Sequence, residues 1–421
     1  MRVCFLLPSL RPSGGAAVAA EHARGLAREH GAEADLVVTE PGGERPAGFG
    51  DLPVRTLSEL GGRRYDVAVA TWWQTASALW ELGAARRALL LQSFEQRFYD
   101  PDAPFERLGA EAVLALPLDY LAVAPWIRDV LAELRPGARC RVVPPGIDKE
   151  VFAAGRRVRR EGPLRVLIDG QPTLPFKGVR EAVAAVEAMS EPVHSTLVAL
   201  DPGAVGEVGV DRVVGGLDAE GVAALYRESD VLVKLSRVEG LGLTPVEGFH
   251  SGLPCLVTPY TGHAEYARHA ENAIVVGFDD RPGAGAWLDL LARDRDLLAS
   301  LSDGARRTAR SWPDWRASTA SLYRALLEIA DAEPAQTDVS LLVRTLALGS
   351  ELGRARLRRL DTATERALSV AEAHVRDLSD SRDECSEMLE EARAELTRIK
   401  GSRAYRAARA AKRAGGVLRR R

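Results

Sequence analysis

The residues with the clearest chemical pattern lie in segment 236–254, SRVEGLGLTPVEGFHSGLP. Glu239 opens a glycine-containing turn after an apolar run, and Glu247 follows eight residues later. We predict that Thr244 is the N-cap of a helix at 245–251, which has Pro245 in its first position and carries Glu247. Glycines let a backbone approach a ligand, helix starts bind phosphate, and carboxylates accept hydrogen bonds from sugar hydroxyls. The segment therefore predicts a site for a nucleotide diphosphate sugar.

Glu247 also has a purely structural interpretation. Its spacing from Thr244 fits a capping box, in which the glutamate side chain bonds the backbone N–H of the N-cap residue. Glu247 would then stabilise the helix and contact no ligand. Both interpretations stay open from these two residues, although the whole arrangement of strand, glycines, helix start and second glutamate favours binding.

Metal or nucleophile chemistry has little support in the sequence. Asp294 and Asp296 form a D-x-D string, but the surrounding ARDRDLLASL predicts an exposed helix face. The seven histidines show no metal-ligand spacing, so we expect no metal. No G-x-G-x-x-G follows the first apolar run, which argues against a dinucleotide dehydrogenase. We expect reduced thiols at the widely spaced cysteines Cys4, Cys140, Cys255 and Cys385.

These residues need elements that position them. With 46% apolar and 27% charged residues, the chain is neither disordered nor a disulfide scaffold. Short apolar runs alternate with helical stretches, which is typical of parallel sheets covered on both faces. Strands are predicted at 3–7, 35–39, 66–70, 88–92, 120–124 and 140–143 in the first half, and at 164–169, 195–200, 211–214, 230–234, 254–258 and 273–276 in the second. Helices of the second half are predicted at 178–189, 218–228, 245–251, 262–269 and 284–300. The fold class is predicted as α/β, with two Rossmann-like doubly wound domains around a cleft. The predicted domains are 1–151 and 164–332, the second with a closing helix at 316–331, and 152–163 is the linker.

Residues 338–400 predict a long helical region. Apolar residues recur within it at alternating spacings of three and four from Leu368 to Ile399, interrupted by Arg382. This pattern is typical of the a/d seam of a coiled coil, which we favour over a solvated helix or a helix packed on the body. We expect it to form a homo-oligomer or to bind a partner, and the seam is too irregular to fix the number of chains.

Charge is divided unevenly along the chain. The 56 basic and 59 acidic residues give a net charge of -3, yet 397–421 holds ten Lys or Arg and no Asp or Glu, which leaves -13 on the rest. The basic tail, 401–421, suits an anionic membrane surface. Nucleic acid is the competing anion, which the acidic body disfavours, and a merely solvated tail is also open. We expect a cytoplasmic protein, peripheral at the inner face of the cell membrane.

A family resemblance rests on these motifs. EGLGLTPVE, preceded by SDVLVKLSRV and followed by GFHSGLPCLVT, resembles the E-x7-E signature of family 4 glycosyltransferases. The resemblance extends over residues 1 to 330 and includes Gly14-Gly15, VPPGID at 143–148 and Lys177-Gly178. It implies the GT-B architecture and retaining, metal-independent transfer from a nucleotide diphosphate sugar, with no cofactor.

The resemblance also implies roles for single residues. Glu239 would contact the donor sugar, Glu247 the ribose, and Lys177 the diphosphate. For Lys177, an exposed lysine at the start of a helix is the alternative. The family often has Gly-Arg where this chain has Gly170-Gln171, so one of two usual phosphate cations is missing or replaced. The remaining implied donor-binding positions are Gly14 and Gly15 from the first domain and the backbone of Gly242, Leu243 and Thr244.

A narrower resemblance lies in the first domain. Segments 66–76 and 89–103 resemble rhamnosyltransferase-type members that act on bacterial surface polysaccharides. They imply an acceptor or sugar wall, and core packing is the alternative for its aromatic residues. The wall residues are Trp72, Gln92, Glu95 and Tyr99.

The expected function is that of a hexosyltransferase-type enzyme that extends a lipid-linked cell-surface glycan. Two other classes remain open. A nucleotide-sugar epimerase or sugar phosphorylase would use the same architecture. A non-catalytic assembly protein would keep the fold and act through the coiled coil.

Overall fold

The computed structural model describes residues 1–40, 49–50, 52–153 and 161–333 and the single positions 343 and 398. The chain divides into two units, Met1–Glu351 and Leu352–Arg421, and every element below lies in the first. The predicted coiled coil at 338–400 lies outside the described residues except for positions 343 and 398, as do the tail at 401–421 and residues 154–160 of the predicted linker. Among the described residues, no helix has the length and apolarity needed to cross a membrane.

The first sheet is parallel throughout. Its strands are β1 (Arg2–Leu7), β2 (Glu33–Val38), β3 (Val54–Thr56), β4 (Arg64–Ala70), β5 (Gly83–Leu91), β6 (Asp119–Ala122) and β7 (Cys140–Val142), in the order β3-β2-β1-β4-β5-β6-β7. Helices α1 (Gly14–His30), α2 (Pro104–Ala112) and α3 (Pro125–Leu134) accompany it. The apolar run of β1 is fully buried from Val3 to Leu7, as expected for a central strand covered on both faces.

The second sheet is also parallel. It contains β8 (Leu164–Asp169), β9 (Val193–Val198), β10 (Arg212–Val214), β11 (Val231–Lys234), β12 (Cys255–Val257) and β13 (Ala273–Val275), in the order β10-β9-β8-β11-β12-β13. The accompanying helices are α4 (Val179–Glu187), α5 (Ala219–Glu228), α6 (Leu243–His250), α7 (Arg281–Arg293), α8 (Arg295–Ser311) and α9 (Trp315–Asp331). The strand order reverses between β8 and β11, and ligands bind at such switch points in open α/β sheets.

Two of the predicted helices differ in the structure. A single helix expected at 284–300 is two helices, α7 and α8, because the Asp294 side chain accepts the Leu297 N–H and caps a new helix start. Asp294 of the D-x-D string is thus a capping residue. The helix expected at 262–269 is a short 3-10 turn, Thr261–Glu265, where Gly262 packs directly on the Gly240 backbone.

Helix α9 follows the second sheet in sequence but packs on α1 and on β4, β5 and β6 of the first. Trp315 meets His22 edge to face, with ring centroids 5.4 Å apart, and Tyr323 stacks on His30 at 4.2 Å. Ser318 Oγ donates to the Pro144 carbonyl over 2.6 Å. The helix that we expected to close the second domain therefore ties that domain to the first.

Candidate functional site

A cluster of charged side chains lies at the switch point of the second sheet, where β8 and β11 end. Lys234, the last residue of β11, forms an ion pair with Asp169, the last residue of β8, and its Nζ lies 3.3 Å from Glu239 Oε1. Lys177 Nζ lies 3.0 and 3.2 Å from the two oxygens of Glu239. Ser236 Oγ donates to Glu239 Oε1 over 2.9 Å. Two ammonium groups and a hydroxyl therefore hold one carboxylate.

These contacts decide the charge of Glu239. Burial raises its pKa, but Lys234, Lys177 and the Ser236 hydroxyl outweigh burial and bring the pKa down to about 2. For Lys234 the signs are reversed. Burial lowers the pKa of this lysine, but the carboxylates of Asp169 and Glu239 outweigh burial and raise the pKa above the ordinary lysine value. Glu239 is therefore a carboxylate, and Lys234 an ammonium, at neutral pH.

Glu247 lies on α6 in a different environment. Its Oε2 accepts a hydrogen bond from Tyr226 of α5 over 3.1 Å. Burial raises the pKa of Glu247 to about 7, against the opposing effect of that hydrogen bond. This hydrogen bond joins α5 to α6. A capping box would instead require the Glu247 side chain to accept a hydrogen bond from a backbone N–H at the start of α6. The structure therefore does not form the capping box at Glu247, and a role of Glu247 in donor binding stays a prediction.

Helix α6 begins two residues before the predicted start. Gly242, with φ 81°, is the N-cap, and Thr244 lies inside the first turn. A Cβ at Gly242 would come within 2.9 Å of the Tyr266 hydroxyl, so the turn requires glycine in this left-handed conformation. Thr244 Oγ1 instead donates to Asp169 over 3.1 Å. The helix start is thereby fixed beside the charged cluster, with Leu243 as its first residue.

The first domain reaches this cluster through Gln92, which directly follows β5. A Cβ at Gly240, next to Glu239, would overlap the Gln92 carbonyl oxygen, and one at Gly15 would lie 2.7 Å from Gln92 Nε2. Trp126 Nε1 of α3 donates to the Gly240 carbonyl over 2.7 Å. Gly15 and Gln92 therefore lie at the cleft, and Gly14 begins α1 with open space beside its Cα.

The predicted wall residues divide into two groups. Trp72 stacks on Phe98 with centroids 6.1 Å apart, and Phe98 contacts Phe176 of the second domain at 5.2 Å. Tyr99 and Glu95 face inward. The Tyr99 hydroxyl accepts from Trp73 Nε1 over 2.9 Å, and Glu95 accepts the Trp73 N–H over 2.7 Å. Trp72 and Gln92 thus border the cleft, whereas Glu95 and Tyr99 support the turn behind it.

Three residues of the site escaped the sequence interpretation: Asp169, Lys234 and Tyr226. A signal existed for Lys234, because it is one of five lysines in the chain and ends an apolar strand. Asp169 likewise ends the apolar run LRVLID. Within the part of the chain that the structure describes, no group of three or more His, Cys, Asp or Glu could hold a metal, and Cys4, Cys140 and Cys255 are free thiols.

Comparison with known proteins agrees with this geometry. Residues 211–308, which include Lys234, Glu239 and Glu247, match the family described as glycosyl transferases group 1. The match covers the part of the second domain that carries the charged cluster, and the two parallel sheets form a GT-B-like α/β fold. The GT-B-like fold that the sequence resemblance implies is thereby confirmed, whereas family 4 membership and the rhamnosyltransferase type stay predictions.

Individual relatives share low sequence identity with this chain. The chain is 25% identical over 343 residues to the O-antigen biosynthesis protein RfbC of Myxococcus xanthus, covering 74% of this chain and 26% of that protein. This chain thus spans about a quarter of that relative's length. It is 28% identical over 330 residues to a D-inositol 3-phosphate glycosyltransferase of Thermobispora bispora, covering 66% of this chain and 77% of the relative.

Among solved structures, the fold resembles HepE of Anabaena in complex with UDP-glucose. The TM-score is 0.64 at 15% identity, and the match covers 78% of this chain and all of HepE. At this identity the similarity concerns the fold alone.

Proposed function

We propose that this protein is a retaining glycosyltransferase that moves a sugar from a nucleotide diphosphate donor to a growing, lipid-linked cell-surface glycan. The observation that carries the proposal is the Glu239 carboxylate held by two lysines beside the start of α6, where the first domain meets the second. The group 1 family match and the UDP-glucose complex of a protein with the same fold support a nucleotide-sugar donor.

In this proposal the protein acts mainly by binding charge. The first backbone N–H groups of α6 and Lys177 bind the diphosphate, which becomes more negative as it leaves. Glu239 accepts hydrogen bonds from the donor sugar, and Glu247, whose pKa of about 7 leaves it partly protonated, lies toward the ribose. The bond from the anomeric carbon to phosphate breaks and the glycosidic bond forms on the same face. The leaving phosphate takes the proton of the acceptor hydroxyl, without a metal.

The acceptor and the location are part of the same proposal. The name of RfbC, an O-antigen biosynthesis protein, supports a surface glycan as acceptor. Trp72 borders the cleft from the first domain, where an acceptor sugar would stack. The enzyme would work as a cytoplasmic, peripheral membrane protein, with the basic tail on anionic lipid and the coiled coil joining copies of the chain or a partner.

Ligand-dependent stabilisation tests the donor site. The wild-type protein is heated with UDP, GDP, ADP or dTDP and with the corresponding sugar nucleotides, and turnover of the best ligand is then measured. We expect one base to raise the Tm selectively. Glu239→Gln and Glu247→Gln should each lower turnover by roughly a hundredfold, because each removes a charge or donor built into the site.

The matched control is Glu228→Gln, an exposed glutamate on α5, the helix that carries Tyr226. It should turn over sugar nucleotide like the wild type. Full activity of folded Glu239→Gln and Glu247→Gln proteins would contradict the site assignment. Release of an epimer or a sugar phosphate in place of glycoside would contradict the transferase reaction and favour the epimerase or phosphorylase alternative.

A further inference from the structure

Two lysines contact the Glu239 carboxylate, but their surroundings differ. The Lys177 side chain is 26% exposed and lies at the end of a short turn, Pro175–Lys177, at the cleft. The Lys234 side chain is 3% exposed, extends from the buried strand β11 and is also ion-paired with Asp169. Lys177 can therefore move toward solvent or ligand, and Lys234 cannot.

The charges of this cluster balance in the unliganded protein. Asp169 and Glu239 are matched by Lys177 and Lys234, and Lys177 bonds both oxygens of Glu239. A donor diphosphate brings further negative charge into the cleft and meets a lysine that is already neutralised. Favourable binding therefore requires Lys177 to exchange the Glu239 carboxylate for the diphosphate.

That exchange would leave Glu239 buried with one ammonium fewer. A buried carboxylate without a cation is costly and takes up a proton. We propose that Lys234 is a positioning residue of the donor site, which keeps Glu239 ionised and in place when Lys177 moves to the donor diphosphate. This inference rests on the proposed transferase function. Lys234 does not replace the phosphate cation that the Gly170-Gln171 sequence lacks, because it acts on the Glu239 carboxylate.

The same two strands carry a natural control. Arg165, near the start of β8, forms an ion pair of 2.8 Å with Asp230, which lies just before β11. This pair lies at the opposite end of the two strands from Asp169 and Lys234. Asp230 is as buried as Lys234, with its side chain 2% exposed. The two ion pairs thus resemble each other in burial and in the strands that they join, and only one of them faces the cleft.

The test uses the full-length variants Lys234→Met, Lys234→Met with Asp169→Asn, and Arg165→Met. The double variant removes both charges of the buried pair, so it leaves no uncompensated Asp169 if the single variant fails to fold. Each protein is assayed for binding of the nucleoside diphosphate that stabilises the wild type most among UDP, GDP, ADP and dTDP, and for kcat and KM with its sugar nucleotide across pH.

We expect both Lys234 variants to lose roughly a hundredfold in kcat. They should bind the nucleoside diphosphate within about threefold of the wild type at low pH, where Glu239 takes up a proton as Lys177 leaves it, and more weakly as pH rises, because Glu239 and the diphosphate then compete for Lys177. Their kcat should also fall at low pH, in a range where the wild type is still active, because Glu239 then takes up a proton. Arg165→Met should lose less than about threefold in both measurements. The charged or titratable groups that face Glu239 are Asp169, Lys177, Lys234, Tyr260 and Tyr266.

Several results would overturn the inference. If the folded double variant keeps the kcat of the wild type, Lys234 has no role in the reaction. A loss of nucleoside diphosphate binding that is the same at every pH would mean that Lys234 acts on the phosphates and does not position Glu239. If Arg165→Met loses as much kcat as the Lys234 variants do, the loss comes from a less stable sheet and not from the position of Glu239. A wild-type protein that binds none of the nucleotides contradicts the proposed function itself, and this inference with it.

Discussion

Glu239 and Glu247 lie eight residues apart in one segment, yet the fold gives them opposite protonation behaviour. The pKa of Glu239 is about 2 and that of Glu247 about 7. The difference comes from other elements, since two lysines contact the first carboxylate and a tyrosine hydroxyl the second. Paired groups whose pKa values are pushed apart are typical of sites with divided roles. The spacing predicts the pair, whereas the charge states depend on contacts that the segment does not contain.

Glu95 provides a prediction at the same scale. Burial raises its pKa to about 8, against the Trp73 N–H bond. In the unfolded chain the carboxyl loses its proton at lower pH, so the folded state holds the extra proton between the two pKa values and stability falls as pH rises through that window. Glu95→Gln keeps an acceptor for Trp73 and cannot ionise. We expect the variant to gain on the order of 3 kcal/mol over the wild type as pH rises from about 4 to about 8.5.

Urea unfolding of both proteins across this pH range measures the difference. Glu111→Gln, an exposed glutamate on α2, is the control and should show no such gain. A difference between Glu95→Gln and the wild type that is the same at every pH would show that Glu95 is not protonated in the folded protein.

At the scale of elements, the apolar runs predict most strands of both sheets, because a strand covered on both faces is apolar throughout. Strand β3 is absent from that prediction, since three half-buried residues, Val54–Thr56, carry too little pattern. The sequence does not reveal the break between α7 and α8, because Asp294 resembles an exposed helix residue until its cap bond is seen. Boundaries of this kind depend on single side-chain contacts.

Strand order explains why half of the site could not be predicted. Lys177, Glu239 and Glu247 belong to local motifs and are recognisable in the sequence. Asp169 and Lys234 become neighbours only because β8 pairs with β11, although β9 and β10 lie between these two strands in the chain. The pairing is a property of the whole sheet, and no local pattern of residues reports it.

Gly178 offers a prediction at this scale. Its φ is 64°, and a Cβ would overlap the Leu235 carbonyl oxygen, so the turn that carries Lys177 docks directly on the segment leading to Glu239. Gly178→Ala adds left-handed strain and forces the two segments apart. We expect a loss of about 2–4 kcal/mol in the free energy of unfolding and weaker stabilisation by nucleoside diphosphate, because Lys177 is displaced.

Gly206→Ala is the matched control, since Gly206 has a similar φ of 68° and open space beside it. It should cost about 1 kcal/mol by strain alone and leave ligand stabilisation unchanged. Urea unfolding and thermal shifts with nucleoside diphosphate measure both effects. Equal costs for the two variants would mean that the Leu235 contact does not hold the Lys177 turn.

At the scale of the molecule, the first unit is joined across its cleft at several points. Phe98 contacts Phe176, Trp126 bonds Gly240, and α9 returns from the second sheet to pack on the first. The residues that meet at the cleft follow β5 and β6 in the first sheet and β8 and β11 in the second. The site therefore depends on both domains, which explains why no single motif defines it.

The whole chain also carries the charge contrast between its acidic body and the basic tail at 401–421, which lies outside the described residues. If the tail binds anionic lipid, each cation near the surface contributes about 1 kcal/mol before losses to salt and distance. We expect full-length protein with Arg403, Arg406 and Arg409 all changed to Gln to bind vesicles containing phosphatidylglycerol at least about tenfold more weakly than the wild type. Co-sedimentation at low and moderate salt measures this.

The control for the tail variant changes three exposed arginines of the body, Arg128, Arg293 and Arg316, to Gln. It lowers the net charge of the chain by the same amount, so nonspecific attraction falls equally in both proteins. Only the tail variant should lose vesicle binding, and wild-type binding should weaken as salt rises. If the tail variant binds vesicles as well as the wild type does, these tail arginines have no role in membrane binding. If both variants lose vesicle binding equally, the attraction comes from the overall charge of the chain.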